Sequence, residues 1–150
     1  MKLFDFFKKP DRRTKKRRTG DKGEAIAAEF LKQHGYLILE QNWTYGKAEL
    51  DIIAMKNGTV IFVEVKTTNS DFSESFKLPM EAIDKQKRQN LTHAARAYVR
   101  LRKQYFPRTC EGYAFDIIEV YLNRETPQIN HITNAFFAEK GYKTNGKSNV

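Results

Sequence analysis

The segment Ala48–Lys66 constrains the fold of this chain more than any other, because a turn signal separates two strongly apolar runs. Asn57 and Gly58 form that signal, and this dipeptide supplies the positive φ angles that a two-residue type I′ hairpin requires. The sequence therefore predicts an antiparallel hairpin in which Lys56 pairs with Thr59. This pairing also fixes the register of every other residue in the two strands.

The predicted register places charged side chains at the open end of the hairpin. Asp51 falls opposite Glu64 and Glu49 opposite Lys66, with Cβ atoms roughly 4.5–5.5 Å apart. Like charges in such positions repel, and the apolar residues around them predict central strands in which an unpaired charge is costly. A divalent cation such as Mg²⁺ would resolve both problems, because it binds several oxygen ligands. The alternative is an ion-pair patch, in which Glu49 pairs with Lys66 and Asp51 is solvated.

These residues belong to an ordered series of motifs. An aspartate followed across a hairpin by Glu-x-Lys resembles the PD-(D/E)XK nuclease core of restriction endonucleases and archaeal Holliday-junction resolvases. More closely, residues 19–137 resemble the bacterial YraN family. The motifs that carry the resemblance are Thr19-Gly20-Asp21 with Glu24, Glu49-Leu50-Asp51, Phe62-Val63-Glu64-Val65-Lys66, Lys87 with Leu91, and Phe115-Asp116-Ile117.

The resemblance implies both a fold and a chemistry. The fold is α/β with a restriction-endonuclease-like core of order α-β-β-β-α-β, a mixed sheet flanked by helices. The implied activity is metal-dependent hydrolysis of DNA phosphodiester bonds, with branched or structured DNA as a candidate substrate. Asp51, Glu64 and the Val65 carbonyl would hold Mg²⁺ or Mn²⁺. Lys66 would orient the attacking water and stabilise charge on the phosphorus, and Glu49 would contact metal or water.

The first helix is predicted over Asp21–His34, with Gly35 as its left-handed cap. Glu24 stands three residues after Asp21, which is the spacing of a capping box. The resemblance implies a different role, in which Glu24 is a catalytic-site acid that contacts metal or water from the first helix. Both interpretations stay open at this stage.

The rest of the chain supplies further strands and a long helix. Strands are predicted at Tyr36–Gln41, at Tyr113–Leu122 and, at a sheet edge, at Gln128–Ile132. A helix from Pro79 to about Tyr105 provides the crossover that parallel strands need. Lys87 falls within the apolar stripe of this helix, so its ammonium must reach solvent or an anion. Its position in the family motif favours contact with a phosphate or a carboxylate.

Positive charge is concentrated at the start of the chain. The formal net charge is +9, and residues 1–19 hold nine basic residues against two acidic ones, so they carry +7. This composition predicts a disordered tail over 1–19, followed by a single domain over 20–142 and a polar frayed end over 143–150. A basic tail binds phosphate backbones by counterion release, so DNA is the expected partner. The candidate nucleic-acid contacts are Arg12, Arg13, Lys15, Lys16, Arg17, Arg18 and, from the long helix, Lys87.

Several observations exclude other classes of protein. The chain has no run of ~18 apolar residues, and its short apolar start is too charged for a signal peptide, so we expect a cytoplasmic, soluble protein with no membrane partner. Cys110 is the single cysteine, which excludes an intrachain disulfide. His34, His93 and His131 show no ligand spacing and are interpreted as ordinary surface or helix residues. Asp116, inside a predicted strand, is interpreted as a hydrogen-bonded structural acid.

Three functional alternatives follow from these features. The first is the metal-dependent endonuclease described above. The second is a non-catalytic nucleic-acid-binding module that retains the nuclease fold. The third, which rests only on charge, is a ribosome- or RNA-associated adaptor that uses the basic tail. Analogy with resolvases also makes a homodimer one expectation.

Overall fold

The structure is a computed structural model, and it describes residues 14–69, 83–106 and 112–139 of the 150-residue chain. The predicted fold class, α/β with the order α-β-β-β-α-β and a mixed sheet flanked by helices, is confirmed, and one strand follows this core. The elements are α1 (Lys15–Gln33), β1 (Leu37–Tyr45), β2 (Ala48–Lys56), β3 (Thr59–Thr68), α2 (Lys85–Arg102) with a 3₁₀ turn (Lys103–Tyr105), β4 (Gly112–Tyr121) and β5 (Gln128–Phe136).

The five strands form one sheet in the order β1-β2-β3-β4-β5. β1, β2 and β3 are antiparallel neighbours, β3 and β4 run parallel, and β5 returns antiparallel to β4. The parallel pair needs a crossover connection, which contains α2. β3 is therefore the central strand, and a side chain near its end lies in the middle of the sheet.

The sheet lies between two hydrophobic cores, one for each helix. Ala27 of α1 packs in the same core as Val63, whereas Leu91 of α2 packs in the same core as Phe62. Adjacent residues of β3 enter opposite cores because side chains alternate along a strand. Both faces of β3 are consequently apolar, as the sequence predicted for a central strand.

The predicted hairpin is present. Asn57 and Gly58 have φ angles of 50° and 75°, both in the left-handed region that a type I′ turn requires. β2 and β3 pair in the predicted register from this turn as far as Ile52 and Val63.

α1 begins at Lys15, six residues before the predicted start at Asp21. Thr14 is the N-cap, and its hydroxyl accepts a hydrogen bond from the Arg17 amide at 3.3 Å. The predicted tail boundary after residue 19 is therefore wrong, because residues 15–19 are helical. The capping-box interpretation of Glu24 is wrong for the same reason. Lys and Arg are good helix formers, so a basic run after a Thr cap extends the helix.

α2 begins at Lys85 rather than at Pro79. Asp84 is its N-cap and accepts a hydrogen bond from the Lys87 amide at 2.8 Å. Residues 79–82 lie outside the described residues, as do Arg12 and Arg13 of the basic segment.

No helix in the described parts of the chain is both long enough and apolar enough to cross a membrane.

α1 approaches β3 closely at Gly23. A Cβ atom on Gly23 would lie 1.8 Å from the Thr67 hydroxyl oxygen and 2.8 Å from Thr67 Cβ. No rotation of the Thr67 side chain removes the contact with Cβ, so any larger residue at position 23 pushes the helix away from the sheet. Gly20, one turn earlier in the same helix, differs, because a Cβ there would meet nothing within 4 Å.

We predict opposite effects on stability for alanine at these two positions. Gly23→Ala should lower the free energy of unfolding by about 1–3 kcal/mol, the usual cost of overpacking. Gly20→Ala should raise it by up to about 1 kcal/mol, because alanine favours a helix interior over glycine. Urea denaturation of the two variants beside wild type measures both changes. Equal effects of the two substitutions would contradict the close approach of α1 to β3.

Candidate metal centre at a strand fork

β2 and β3 separate beyond the pair formed by Ile52 and Val63. The ladder between them ends there, while β2 continues beside β1 and β3 continues beside β4. The opening is bordered by Asp51 on β2 and by Glu64 and Val65 on β3. We call it the strand fork.

A side chain takes the place of the missing ladder at the fork. In an uninterrupted ladder, the next hydrogen-bonded pair would join Val65 to Leu50. Instead, the Val65 amide donates to Asp51 Oδ2 at 2.8 Å. The predicted ladder pairs of Asp51 with Glu64 and of Glu49 with Lys66 are therefore wrong, because the Asp51 carboxylate competes with the strand for the Val65 amide.

A kink in two neighbouring strands turns Asp51 toward the fork. Leu50 packs in the α2 core and Ile52 in the α1 core, although residues two apart on a regular strand share a face. The break in alternation falls at Asp51. The β1 residue that faces it in the register is Asn42, whose φ of 51° lies in the left-handed region that asparagine tolerates.

The surroundings of Asp51 favour its neutral form. Burial raises the pKa of this carboxyl to about 7, and the nearby Glu64 carboxylate adds to the effect. The hydrogen bond from the Val65 amide opposes the shift, Glu24 adds to it, and Lys87 opposes it. Burial and like charge thus outweigh the partners that Asp51 has within the chain.

Glu64 receives a cation from α2. It is 7% exposed and lies on the side of β3 that faces α2, two residues after Phe62. Lys87 Nζ donates to Glu64 Oε1, while 46% of the Lys87 side chain remains exposed. The predicted contact of Lys87 with an anion is confirmed as a contact with a carboxylate. Contact of Lys87 with phosphate stays a prediction.

A second group of acids lies on the α1 side of the fork. The Asn42 amide, oriented by its hydrogen-bond partners, donates to Glu24 Oε2 at 2.9 Å and to Glu49 Oε1 at 3.2 Å. The pKa of Glu24 is raised, first by burial and then by the carboxylates of Asp21, Glu49 and Glu64, although the Asn42 bond opposes the shift. Glu24 thus lies near the fork, and its contact with metal or water stays a prediction.

Asn42 is the residue of this site that sequence reasoning missed. The predicted strand ended at Gln41, whereas β1 runs from Leu37 to Tyr45, so the sequence offered no signal that Asn42 lies inside a strand. Its left-handed backbone and its amide together connect α1 to β2 through β1.

The remaining candidates occupy different parts of the fold. Lys66 lies two residues after Glu64, on the same face of the half-buried end of β3. The basic residues at the start of α1 are exposed on that helix and do not belong to the fork.

Asp116 is a structural acid, as predicted. It is 2% exposed, accepts a hydrogen bond from the Asn134 amide at 2.9 Å, and lies 2.8 Å from His131 Nε2. His131 is therefore no ordinary surface residue. It pairs with Asp116 where β4 and β5 shift register.

The donor atoms at the fork fit a hard divalent cation. Asp51 Oδ1 and Glu64 Oε2 accept no hydrogen bond from the described part of the chain. The Val65 carbonyl points to the same side of β3 as its amide, toward the fork, because both groups of a strand residue share one side. Among residues 14–69, 83–106 and 112–139, no three His, Cys, Asp or Glu side chains group as a metal site. The fork thus offers two carboxylates and one carbonyl, a set of oxygens that suits Mg²⁺ or Mn²⁺.

We predict that the raised pKa of Asp51 gives the metal-free protein a pH-dependent stability. The folded state holds the Asp51 proton more tightly than the unfolded state, whose carboxyl titrates near 3.8. Its contribution is therefore complete below pH ~4 and is lost as the pH rises through about 7. Asp51→Asn should remove this loss, and each unit of pKa difference corresponds to about 1.4 kcal/mol.

The measurement is chemical denaturation between pH 4 and 8 in a chelator. Glu29→Gln, on the exposed side of α1, is the matched control and should follow the wild-type profile. Parallel profiles for wild type and Asp51→Asn would contradict the assigned environment of Asp51.

Comparisons with known proteins give consistent results. The family model described as "Uncharacterised protein family UPF0102" matches residues 23–120. A UPF0102 protein of Caldanaerobacter subterraneus subsp. tengcongensis is 43% identical over 130 residues, covering 83% of this chain and 99% of the relative. Another, from Flavobacterium johnsoniae, is 40% identical over 119 residues, covering 79% of this chain and 93% of the relative.

Among solved structures, Pyrococcus furiosus SfsA in complex with Ca²⁺ matches with a TM-score of 0.35 and 15% identity. The match covers 79% of this chain and 63% of that chain. The UPF0102 family model spans both strands of the fork and the α2 residue that contacts it. The chain therefore belongs to the UPF0102 family, in agreement with its resemblance to the YraN proteins.

Proposed function

We propose that this protein is a metal-dependent DNA endonuclease and that the strand fork is its catalytic centre. The observation that carries the proposal is the fork itself. Two separating strands direct Asp51, Glu64 and the Val65 carbonyl to one place at the centre of the sheet. A sheet that gives up ladder hydrogen bonds there, and gathers like charges in their place, is well suited to a cationic ligand.

Three oxygen atoms at the fork are the proposed metal ligands. Asp51 Oδ1, Glu64 Oε2 and the Val65 carbonyl would hold the cation. When bound, Mg²⁺ or Mn²⁺ supplies polarisation of a phosphate oxygen and a lower pKa for a bound water.

Lys66 and Glu24 complete the chemistry of hydrolysis. Lys66, on the same face of β3 as Glu64, orients the attacking water and stabilises the negative charge that grows on the phosphate oxygens. The water oxygen forms a bond to phosphorus as the bond to the leaving sugar oxygen breaks. Glu24 lies on the α1 side with Asn42 as its hydrogen-bond partner, and it orients the same water or a second one. Glu49 shares that partner and contributes negative charge from the edge of the site.

One observation favours the alternative of a non-catalytic nucleic-acid-binding module. Lys87 already gives Glu64 a cation within the chain. In such a module the ion pair would be permanent and the fork would bind no metal. In the nuclease, Glu64 would hold the cation, and Lys87 would then be available to contact a phosphate. Metal binding therefore distinguishes the two functions.

The proposed roles predict a clear pattern of cleavage. Glu64→Gln removes a ligand charge at constant shape, and Lys66→Ala removes the group that positions water. Each should reduce cleavage by a factor of about 10²–10³ or more, the usual effect of losing a preorganised electrostatic contact. Purified protein with Mg²⁺ or Mn²⁺ is tested against duplex, single-stranded, flap and four-way-junction DNA.

Lys47→Ala is the control for this experiment, because Lys47 is an exposed lysine at the turn between β1 and β2. It should cleave like wild type. Cleavage that persists in EDTA, or equal cleavage by all variants, would contradict the proposed mechanism.

Competition between Lys87 and metal for Glu64 gives a separate prediction. Wild type should gain about 2.7 kcal/mol of stability at a metal concentration of 100 times Kd. Lys87→Met should bind Mn²⁺ several-fold more tightly than wild type, because the competing cation is gone. Without metal the same variant should be less stable than wild type. The loss should be smaller than the cost of removing one partner from a fully buried ion pair, which is about 3–5 kcal/mol, because Lys87 is half exposed.

Isothermal titration and thermal melting measure these effects. Lys85→Met removes an exposed lysine from the same helix and should change neither the metal Kd nor the metal-free stability. Asp51→Asn should lose most of the metal-dependent gain. Absence of any metal response in wild type and Lys87→Met would favour the non-catalytic module.

A further inference from the structure

A groove separates the first half of α1 from the end of β3. It encloses about 1070 Å³ of space that is open to solvent. Its inner end reaches Glu24 and Val65, so the groove leads to the strand fork. We call it the α1–β3 groove. Its other lining residues are Lys15, Lys16, Thr19 and Gly20 on α1 and Thr67, Thr68 and Asn69 on the β3 side.

The chemistry of the lining changes along the groove. Lys15 and Lys16 are exposed at its outer end, and neither ammonium has an ion-pair partner among the described residues. Threonine hydroxyls and the Asn69 amide follow along the walls, and the acids of the fork begin at Glu24. Cationic and neutral hydrogen-bonding groups of this kind are those that contact phosphate oxygens in protein–DNA complexes.

Gly20 keeps this groove open. A glycine inside a helix costs about 1 kcal/mol relative to alanine, so its presence needs a reason. Packing against Thr67 explains Gly23, but a Cβ on Gly20 would meet nothing within 4 Å. Because Gly20 lines the groove, its missing side chain gives a ligand access to the helix backbone.

The distances along α1 fit the spacing of a nucleic-acid strand. Lys16 precedes Glu24 by eight residues, which is about 12 Å along the helix axis at 1.5 Å per residue. Successive nucleotides of a B-form strand advance about 3.4 Å along the duplex axis. Lys16 therefore stands about three to four nucleotides from the fork.

We propose that the α1–β3 groove binds the phosphodiester backbone of one nucleic-acid strand and guides it to the fork. Lys15 and Lys16 contact phosphates about three to four nucleotides from the fork. The direction of the strand toward the fork rests on the proposed function. Binding in the groove does not, so it is measured without metal and without cleavage.

The first experiment compares two double variants of equal charge. Lys15→Ala/Lys16→Ala removes the lysines of the groove, and Arg17→Ala/Arg18→Ala removes two cations from the same turn of α1 that do not line it. Fluorescence anisotropy in EDTA gives Kd for a labelled duplex at several salt concentrations. Affinity falls with salt, and the slope of log K against log salt concentration reports the number of phosphate contacts. In the lysine variant this slope should become less steep by about 1.8, which is about 0.9 for each of two phosphate contacts. In the arginine variant the slope should change by less than half as much.

The second experiment blocks the groove without changing charge. Gly20→Leu places a large side chain in the groove, whereas Ala25→Leu adds one on the exposed opposite side of α1. Gly20→Leu should melt at or above the wild-type temperature, because leucine is a better helix former than glycine. Ala25→Leu should melt close to the wild-type temperature, because leucine is only slightly poorer than alanine in a helix. Gly20→Leu should raise Kd several-fold, and Ala25→Leu should leave it unchanged.

The outcomes decide the proposal in both directions. Equal losses from the lysine and arginine variants would overturn it, because binding would then depend on charge alone. Unchanged binding by a folded Gly20→Leu protein would also overturn it. Matched DNA and RNA probes identify which backbone the groove prefers, and preference for either one supports a phosphodiester site. If the binding results hold while no probe is cleaved with metal, the groove stands and the nuclease proposal fails.

Discussion

The hydrogen bond from the Val65 amide to the Asp51 carboxylate decides where β2 stops pairing with β3. An amide at the centre of a sheet must be paired, and here a side chain serves it in place of the neighbouring strand. If the ladder had continued, Asp51 and Glu64 would be opposed like charges on a closed surface. Because it stops, their second oxygens and the Val65 carbonyl border an opening. The chemistry proposed for this protein depends on that exchange of one hydrogen bond for another.

The two helices bring opposite charges to this opening from opposite faces of the sheet. α1 supplies Glu24, whose pKa is raised by burial and by neighbouring acids, and α2 supplies Lys87, which pairs with Glu64. Gly23 sets the distance on the first face, because it lets α1 lie against Thr67. Asp84 sets the position on the second, since its side chain caps the turn that carries Lys87. Contacts outside the fork thus determine which charged side chains of the two helices lie at the fork.

Features with strong local causes could be predicted from the sequence, and features caused by competition could not. The hairpin followed from Asn57 and Gly58, whose left-handed geometry acts within four residues. The fork did not, because a carboxylate competing for a backbone amide leaves no periodic signal. The early start of α1 was missed because a basic run suggests a tail as readily as a helix. Asn42 was missed since its role appears only once β1, β2 and α1 are in contact.

The lysine end of the α1–β3 groove lies apart from the fork, and this affects how the two are tested. The family model begins at residue 23, so it contains both strands of the fork but excludes Lys15, Lys16 and Gly20. The lysines stand about 12 Å along the helix axis from Glu24, and sites farther apart than about 7–10 Å usually act additively when they share no partner. Changes at Lys15 and Lys16 should therefore alter strand binding while metal binding at the fork stays constant, since the two depend on different contacts.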